Sequence, residues 1–412
     1  MLQDTREKYR LDYRNVVIFR NSFVLMKKLL FLLFCISFAG YSQPVKLSEE
    51  ATISVITCGP WQGELYSAFG HSAFRVYDPA QDIDDAYNYG VFNFDQPNFY
   101  LNFTRGFMYY QLGVYDYKRF RDVYIYHNRY IHEQVLNLTQ TQKQKMYEFL
   151  QWNALPENEN YRYNYFYDNC ATKMPGVLRL TFGDSVVFDG SYIKTDYSIR
   201  ELTDLYLENQ PWGDLGIDIG LGSEIDKKAT PYEYMFLPDY VESGLDHATI
   251  KQNGVFVPLV KEKRIVYEER AEDAPKGLPH PLYIFSFIAL IAGILTYRDW
   301  KKKKLSTWFD AIIFIVTGLV GVMLSFLWFG TDHNSAYNYN LLWALPTNLI
   351  VPIAFIRQPA WLKKYFLVVA VIAVLTLLLW PMLPQKLNIA LAPIVITIAL
   401  RGFIQYKLRK AS

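Results

Sequence analysis

Five apolar stretches in the last third of the chain constrain its fold more than any other feature. They lie at about 281–297, 311–330, 335–356, 365–385 and 387–406. A stretch of about 20 apolar residues is long enough to cross the hydrocarbon core of a bilayer as a helix. The sequence therefore predicts an all-α bundle of about five membrane-spanning helices over 281–406, followed by a short tail at 407–412. A wholly soluble protein is excluded.

The loops between these stretches predict the orientation of the bundle. Basic residues follow the first, third and fifth stretches, whereas the loops near 331–334 and 381–386 hold one lysine between them. Short loops that are rich in Lys and Arg stay in the cytoplasm. The carboxyl terminus is therefore predicted to be cytoplasmic, and residues 43–280 are predicted to form a domain on the outer, periplasmic side of the inner membrane.

Residues 26–42 have the form of a signal peptide, which predicts the same side. Two lysines begin the segment, an apolar core of about ten residues follows, and Gly40 and Ser42 supply small residues before a cleavage site. Residues 1–25 resemble no targeting element, so Met26 is the expected start of the protein. The alternative is a retained anchor helix.

Composition excludes two further classes of protein. A chain with 51% hydrophobic residues is not disordered. A net charge of +2, without a basic run interleaved with aromatics away from the membrane flanks, predicts no nucleic-acid partner. Ten of the 33 tyrosines lie within residues 87–130, and such rings suit surfaces with one apolar and one wet side.

The exported domain is predicted to be α+β. Alternating β-branched and aromatic residues predict strands at 51–58, 71–78, 86–94 and within 122–138, and possible strands at 254–270. Thr139 is expected to open a helix, a second helix is expected to follow Cys170, and the glycine-rich segment 214–222 is expected to be a loop.

The sequence favours cysteine–histidine chemistry over metal or cofactor chemistry. It holds no HExxH, CxxC or paired-histidine spacing, so no metal or cofactor is predicted. Cys170 follows Asn169, a good helix N-cap, and a thiol at a helix N-terminus is favoured as thiolate and has N–H groups nearby that could stabilise an oxyanion. Pro175 is expected to clash with the carbonyl of Ala171 and to separate or kink the first turn.

His71 is the candidate base, because it starts a predicted strand directly after Gly70. A third group should orient its ring. Asn88 on the next strand is the first choice, with Asp84 or Asp85 behind it.

Two structural alternatives remain at this point. Loss of the signal peptide leaves Cys58 and Cys170, and two cysteines in an exported domain are a disulfide candidate. Two buried, inert thiols are the other possibility.

The loop at 330–346 is the second candidate for function. His333 lies at the outer end of the second stretch, and Asn338 and Asn340 could lie within the third. Polar residues at membrane depth are costly and often functional. The alternative is a hydrated turn with interfacial tyrosines.

Three blocks of the exported domain resemble a known family. They read CGPWQGELYSAFGHSAFRVYDP at 58–79, YNYGVFNFDQPNFYLNFTRG at 87–106 and ENENYRYNYFYDNCATKM at 157–174. Together with the TDH…NYNLLWALP segment and five carboxyl-terminal spans, they resemble the Lnb-type lipoprotein N-acyltransferases of the Bacteroidetes. Trp61 and Gln62 depart from this pattern, because family members usually have a bare glycine after the proline.

The resemblance implies a circularly permuted, papain-like (NlpC-like) domain over 43–280, with His71 as base and Cys170 as nucleophile. It implies transfer of an acyl chain from a phospholipid donor, through a Cys170 thioester, to the N-terminal amine of a diacylglyceryl lipoprotein. Residues expected around this pair are Asn169, Tyr66, Tyr87 and His333. Alternatives are a lipid hydrolase, a cell-wall amidohydrolase, acyl movement within one lipoprotein, and a non-enzymatic membrane scaffold stabilised by a disulfide.

Overall fold

The structure, a computed structural model, describes residues 27–28, 45–271 and 277–409. The expected signal peptide at 26–42 lies outside the described residues, apart from Lys27 and Lys28, and so does the expected upstream start at 1–25. The described part contains a mixed α/β domain followed by a helical region.

An antiparallel sheet forms the centre of the α/β domain. The strands, in chain order, are β1 (Thr52–Cys58), β2 (His71–Asp78), β3 (Ile83–Phe92), β4 (Met108–Asp116), β5 (Ile131–Leu136), β6 (Asn160–Tyr163), β7 (Val186–Val187), β8 (Thr249–Gln252), β9 (Val255–Pro258) and β10 (Val260–Tyr267). Seven of them form one sheet in the order β10-β5-β1-β2-β3-β4-β6, and β7, β8 and β9 form a small second sheet.

Helices cover the main sheet and continue into the last third of the chain. Those of the α/β domain are α1 (Phe99–Thr104), α2 (Tyr117–Tyr126), α3 (Gln140–Asn153), α4 (Cys170–Phe182), α5 (Ile199–Leu207), α6 (Pro211–Gly220), α7 (Pro231–Tyr234) and α8 (Pro238–Asp246). Those of the helical region are α9 (Pro281–Lys302), α10 (Thr307–Gly330), α11 (Val351–Arg357), α12 (Leu362–Leu379) and α13 (Ala392–Leu408).

The central strand β1 is buried on both faces because its side chains alternate between two cores. Ile53 and Val55 face the larger core, which α3 and α4 complete. Ile56 and Cys58 face a smaller core that contains residues of α2. The centre of the sheet is thus covered on both faces, whereas the edge strands β10 and β6 keep exposed residues.

Several predicted elements of this domain are confirmed, one is confirmed in part and one is wrong. β1, β2 and the helix opened by Thr139 lie where the patterns place them. The strand expected within 122–138 is β5 at Ile131–Leu136, whereas the first residues of that range belong to α2, which Asp116 caps by accepting the Arg119 N–H. The segment 214–222, expected as a loop, is largely part of α6.

Pro175 does not separate the first turn of its helix. α4 runs without interruption from Cys170 to Phe182 with Pro175 inside it. A proline forfeits one hydrogen bond of the helix interior. Here Asn169 caps the first turn and apolar side chains of α4 pack in the larger core, and these contacts outweigh the loss.

The helical region contains four helices that are long and apolar enough to cross a membrane, among the residues described. They are Pro281–Lys302, Thr307–Gly330, Leu362–Met382 and Ile389–Leu408. The predicted span at 335–356 is not a continuous helix. It consists of two short 3-10 helices, Tyr339–Leu342 and Pro346–Ile350, and the short helix α11.

Prolines and close backbone packing explain the broken third span. Pro346 and Pro352 each begin a short helical piece, where a missing N–H is tolerated. The piece lies directly against α10, where a Cβ on Gly321 would lie 2.1 Å from the carbonyl oxygen of Ala344. A β-carbon on Gly318 would lie 2.6 Å from the backbone nitrogen of Leu349. Hydropathy averages detect the apolar character of this segment but not its geometry.

Polar contacts mark the end of the bundle that lies away from the α/β domain. The Arg401 guanidinium donates to Asp310 and to Asp299, and all three side chains are buried. Arg409 donates to Gln358, which follows α11. The broken segment therefore returns the chain from one end of the bundle to the other, as a span would.

Candidate active site

Cys170 begins α4, and Asn169 fixes the first turn of that helix. The Asn169 side-chain oxygen accepts the N–H groups of Ala171 at 2.8 Å and Thr172 at 2.9 Å. Its amide nitrogen donates to the carbonyls of Tyr165 and Phe236, both at 2.8 Å. Asn169, expected near the site, thus holds the helix start in place through hydrogen bonds to backbone groups.

The structure brings three of the predicted residues together. The Nε2 atom of His71, at the start of β2, lies 2.5 Å from Oδ1 of Asn88 on β3. The His71 ring also lies next to Cys170, and the charge of each group shifts the pKa of the other. Since Nε2 is used by Asn88, the other ring nitrogen, Nδ1, is the one left for sulfur.

The two acidic alternatives to Asn88 lie elsewhere on β3. Asp84 pairs with Arg75, with Oδ1 2.7 Å from the guanidinium Nε. Asp85 faces Asp116 of β4 in the strand register, and burial raises the pKa of its carboxyl. Neither has a contact with His71, so Asn88 is the residue that orients the ring.

The environment of the pair favours a thiolate beside an imidazolium. Burial alone raises the pKa of Cys170, but the charge and hydrogen bond of His71 and the N–H groups of Ser72 and Ala171 lower it overall. Burial likewise lowers the pKa of His71, but Cys170 and the Asn88 hydrogen bond raise it overall.

Cys58 is the second thiol near the site. It ends β1 directly opposite His71 in the β1–β2 register and is fully buried. Burial raises its pKa far above the ordinary thiol value. Both Cys58 and Cys170 are free cysteines, so the structure gives no support to a Cys58–Cys170 disulfide.

Three residues that the sequence did not single out complete the surroundings of the pair. Gly90 lies in a bulge of β3 with φ +92°, and a Cβ there would lie 3.6 Å from the Cys170 Cβ and 4.0 Å from the ring of Tyr163. Tyr124 stacks on His71 with ring centroids 6.1 Å apart. An isolated glycine inside a strand pattern signals a bulge or a close approach, so Gly90 could have been predicted from the sequence. Tyr124 and Tyr163 could not, because nothing in the sequence distinguishes them from the other tyrosines.

The other predicted neighbours have different surroundings. Tyr66 is 74% exposed on the loop after β1. Tyr87 is fully buried in the larger core, where Gln151 donates to its hydroxyl at 2.5 Å. His333 lies against α1, its ring 6.4 Å from that of Phe103. None of the three contacts the Cys170–His71 pair. Tyr87 packs in the larger core and His333 packs against α1 instead.

The outer loops of the helical region dock on the end of α6. Asn338 donates to the carbonyl of Ile219 at 2.8 Å, Asn340 to that of Asp218 at 3.1 Å and Gln385 to that of Leu221 at 2.8 Å. The last carbonyls of a helix lack intrahelical partners. The polar residues of the predicted third span therefore join the α/β domain to the bundle.

One acidic cluster, among the described residues, has a spacing that could suit a metal ion. Ligand atoms of Asp204, Asp214 and Asp218 lie within 4.8 Å of one another. Asp218 is already held by Arg200 at 2.6 Å and by Asn388 at 3.0 Å. Burial, with the charges of the other two aspartates, raises the pKa of Asp214 to about 7. These groups belong to the contact between α6 and the outer loops.

Comparison with protein families identifies both halves of the chain. A model of the Lnb N-terminal periplasmic domain matches residues 43–203, and a model of the Lnb transmembrane domain matches residues 273–412. The chain belongs to the Lnb family. Membership of the Lnb family implies a lipoprotein N-acyltransferase that is a membrane protein with a periplasmic amino-terminal domain and carboxyl-terminal transmembrane helices.

His71, Asn88 and Cys170 all lie within the region matched by the Lnb periplasmic domain. The Lnb transmembrane domain is described by the family as having five helices, which agrees with four long helices plus the broken third segment. No curated protein and no solved structure matches the chain. The roles of individual residues therefore rest on the geometry of the site.

Proposed function

We propose that the protein moves a fatty acyl chain from a phospholipid, through a thioester on Cys170, to the α-amino group of the N-terminal cysteine of a lipoprotein. The observation that carries the proposal is the His71 ring, which lies next to Cys170 and is hydrogen-bonded to Asn88. Family membership supports the acceptor, because the residues alone would equally fit hydrolysis.

In the first step, the Cys170 thiolate attacks the carbonyl carbon of a phospholipid ester. A C–S bond forms and the C–O bond to glycerol breaks. The His71 imidazolium gives its proton to the leaving alkoxide, and a lysophospholipid departs. A tetrahedral oxyanion lies between these events and collapses as the C–O bond breaks.

In the second step, the free amine of the lipoprotein cysteine attacks the thioester carbon. His71, now neutral, accepts the proton of the amine, the C–S bond breaks and an amide forms. The Cys170 thiolate is regenerated beside the His71 imidazolium. Because the acyl group is held on the enzyme as a thioester between the two steps, donor and acceptor need not be bound at the same time. Confinement of both substrates to one bilayer raises their effective concentration at the site.

The finer fold assignment, a circularly permuted papain-like (NlpC-like) domain, belongs to the same proposal. Three features support it. The histidine precedes the cysteine in the chain, the cysteine begins a helix that packs on an antiparallel sheet, and the orienting Asn88 lies on the strand next to that of His71. The active site would lie on the periplasmic side of the inner membrane and the carboxyl terminus in the cytoplasm, as the basic loops indicate.

Intact-mass analysis of a lipoprotein tests the proposal. In a strain that depends on this protein, the wild-type chain should add the mass of one acyl chain as an amide, and Cys170→Ala should abolish the addition. Cys58→Ala is the matched control and should retain it, because Cys58 is outside the His71 hydrogen bonds. Acylation that persists in Cys170→Ala would contradict the proposal.

The source and the fate of the acyl chain separate the proposal from its rivals. With isotope-labelled phospholipid, transfer between molecules predicts label in the amide and a lysophospholipid product. Label in free fatty acid alone would identify a lipid hydrolase. Unlabelled amide with a lyso-form lipoprotein would identify movement within one lipoprotein.

A further inference from the structure

The connection between β3 and β4 exposes more aromatic surface than a water-soluble loop can easily carry. None of the residues of its short helix α1 is buried. Tyr100 is 77% exposed, Leu101 57% and Phe103 41%, and Phe94 just before the helix is 59% exposed. Contiguous exposed apolar patches of this kind mark sites of interaction.

These rings continue as an unbroken series towards the catalytic pair. The centroid distances are 6.0 Å for Phe103–Phe99, 4.9 Å for Phe99–Phe94, 4.9 Å for Phe94–Phe92, 5.7 Å for Phe92–Tyr110 and 4.2 Å for Tyr110–Tyr163. We call these six residues the aromatic track. At its inner end the edge of Tyr163 and the Cβ of Cys170 both lie within 4.0 Å of the position of a Gly90 Cβ.

The outer end of the aromatic track is fastened to a membrane helix. The Asp332 N–H, just after α10, donates to the carbonyl of Arg105 at 2.9 Å. A Cβ on Gly106 would lie 2.8 Å from the Asp332 backbone, so the two chains are in direct contact. Trp328 and Phe329, in the last turn of α10, stack at 4.9 Å. Such rings lie at the membrane–water boundary, and α1 therefore lies at the bilayer surface.

Positive charge borders the same surface. Arg105 is exposed and its guanidinium lies 4.8 Å from the ring centroid of Phe107. The guanidinium of Arg162 also lies 4.8 Å from the Phe107 ring centroid, and it forms an ion pair with Asp332. Basic residues beside aromatic ones are the arrangement by which surface elements engage lipid headgroups and acyl chains together.

We propose that the aromatic track binds one acyl chain of a phospholipid from the outer leaflet of the surrounding bilayer and leads its ester to Cys170. The occupant is lipid because the track is continuous with the outer end of a membrane helix at one end and with the thiol at the other. The delivery of the ester to Cys170 rests on the proposed function, whereas the binding of lipid by the aromatic track does not.

Photo-crosslinking in the full-length protein tests the binding of lipid. The photoreactive residue p-benzoylphenylalanine replaces Phe103 of the aromatic track, or Tyr100, whose ring centroid lies 5.3 Å from that of Phe99. Both variants carry Cys170→Ala and are placed in nanodiscs of phosphatidylethanolamine. Phe256 is the matched control, an aromatic residue of β9 that is 47% exposed. Irradiation should give phospholipid adducts at positions 100 and 103 several-fold above those at position 256, as measured by mass spectrometry. Equal yields at all three positions would overturn the proposal.

The double variant Tyr100→Ser/Phe103→Ser tests the link to catalysis. Acyl transfer from phospholipid should fall about tenfold, a loss of about 1.4 kcal/mol of binding. Alkylation of Cys170 by water-soluble iodoacetamide should stay unchanged, because the His71–Cys170 contact is intact. Phe256→Ser should leave both rates unchanged. Unchanged transfer, or transfer and alkylation that fall together, would overturn the proposal.

The two proposals can fail separately. Lipid adducts at positions 100 and 103 without acyl transfer by the wild-type protein would disprove the proposed function and leave the lipid-binding surface in place. Acyl transfer without such adducts would disprove the surface alone.

Discussion

The surroundings of Cys170 and Cys58 differ in the two features that set the reactivity of a thiol. Cys170 begins a capped helix next to His71, whose charge helps to lower the pKa of the thiol. Cys58 ends a central strand with no exposed surface, and burial raises its pKa. Cys58 is the residue directly opposite His71 in the sheet, yet the His71 ring lies next to Cys170. The side to which a ring turns, and not strand pairing, therefore decides which thiol it activates.

His71→Ala should give the largest effect on this difference. Removal of a general base that also stabilises the thiolate costs on the order of 10²–10⁴ in rate. Acyl transfer should fall by about that factor, as measured by the appearance of the amide-linked chain. Thermal unfolding should be little changed, which separates loss of chemistry from loss of fold. Transfer within tenfold of wild type would assign the base to another residue.

The pH dependence of alkylation should separate the two thiols next. Because His71 lowers the pKa of Cys170, its thiolate persists below the ordinary thiol pKa and is lost as the pH falls through that lowered value. Cys58, with a raised pKa and no exposure, should stay unmodified until the protein unfolds. Peptide mapping after iodoacetamide treatment over a pH series measures both. Equal modification of Cys58 and Cys170 would contradict the comparison.

Asn88→Ala should have an intermediate effect, in which acyl transfer falls about tenfold but is not abolished. The hydrogen bond that is lost, to a charged ring, is worth about 1.5 kcal/mol. The Asn88 hydrogen bond raises the pKa of His71. Without it, the imidazolium should lose its proton at lower pH, and the alkaline limb of the pH–rate profile should move downward. Asp84→Ala is the control, since Asp84 pairs with Arg75, and it should leave that limb in place.

Cys58→Ala should have the smallest effect. The substitution removes one buried sulfur and should lower the free energy of unfolding by about 1 kcal/mol. Transfer should stay close to wild type. A large loss of transfer with an unchanged unfolding temperature would give Cys58 a direct role and break the comparison.

Local chemistry made part of this site predictable from the sequence. Asn169 before Cys170 predicts a capped helix start, and the alternation of 71–78 gives the bounds of β2. Asn88 could be proposed as the orienting group because it follows on the next strand. The pairing of His71 with Cys170, 99 positions later in the sequence, was one of several possibilities until the family resemblance favoured it, since no local pattern encodes a contact over that distance.

Other parts could not be predicted because they depend on tertiary packing. Hydropathy alone gives 335–356 as a span, whereas its break results from prolines and from the close approach of its backbone to Gly318 and Gly321 of α10. Tyr124 and Tyr163 carry no sequence signal that separates them from the other tyrosines. Their importance follows only from where the sheet places His71 and Cys170.

The hydrogen bond between Arg105 and Asp332, two residues after the end of α10, has a consequence for the depth of α1. α10 has 24 residues and is therefore about 36 Å long, a few ångströms more than the ~30 Å of hydrocarbon it crosses. The length of this helix, rather than the α/β domain, thus sets the height of α1 above the membrane core. A thicker bilayer would draw Tyr100 and Phe103 deeper among the lipids, and a thinner one would lift them towards water.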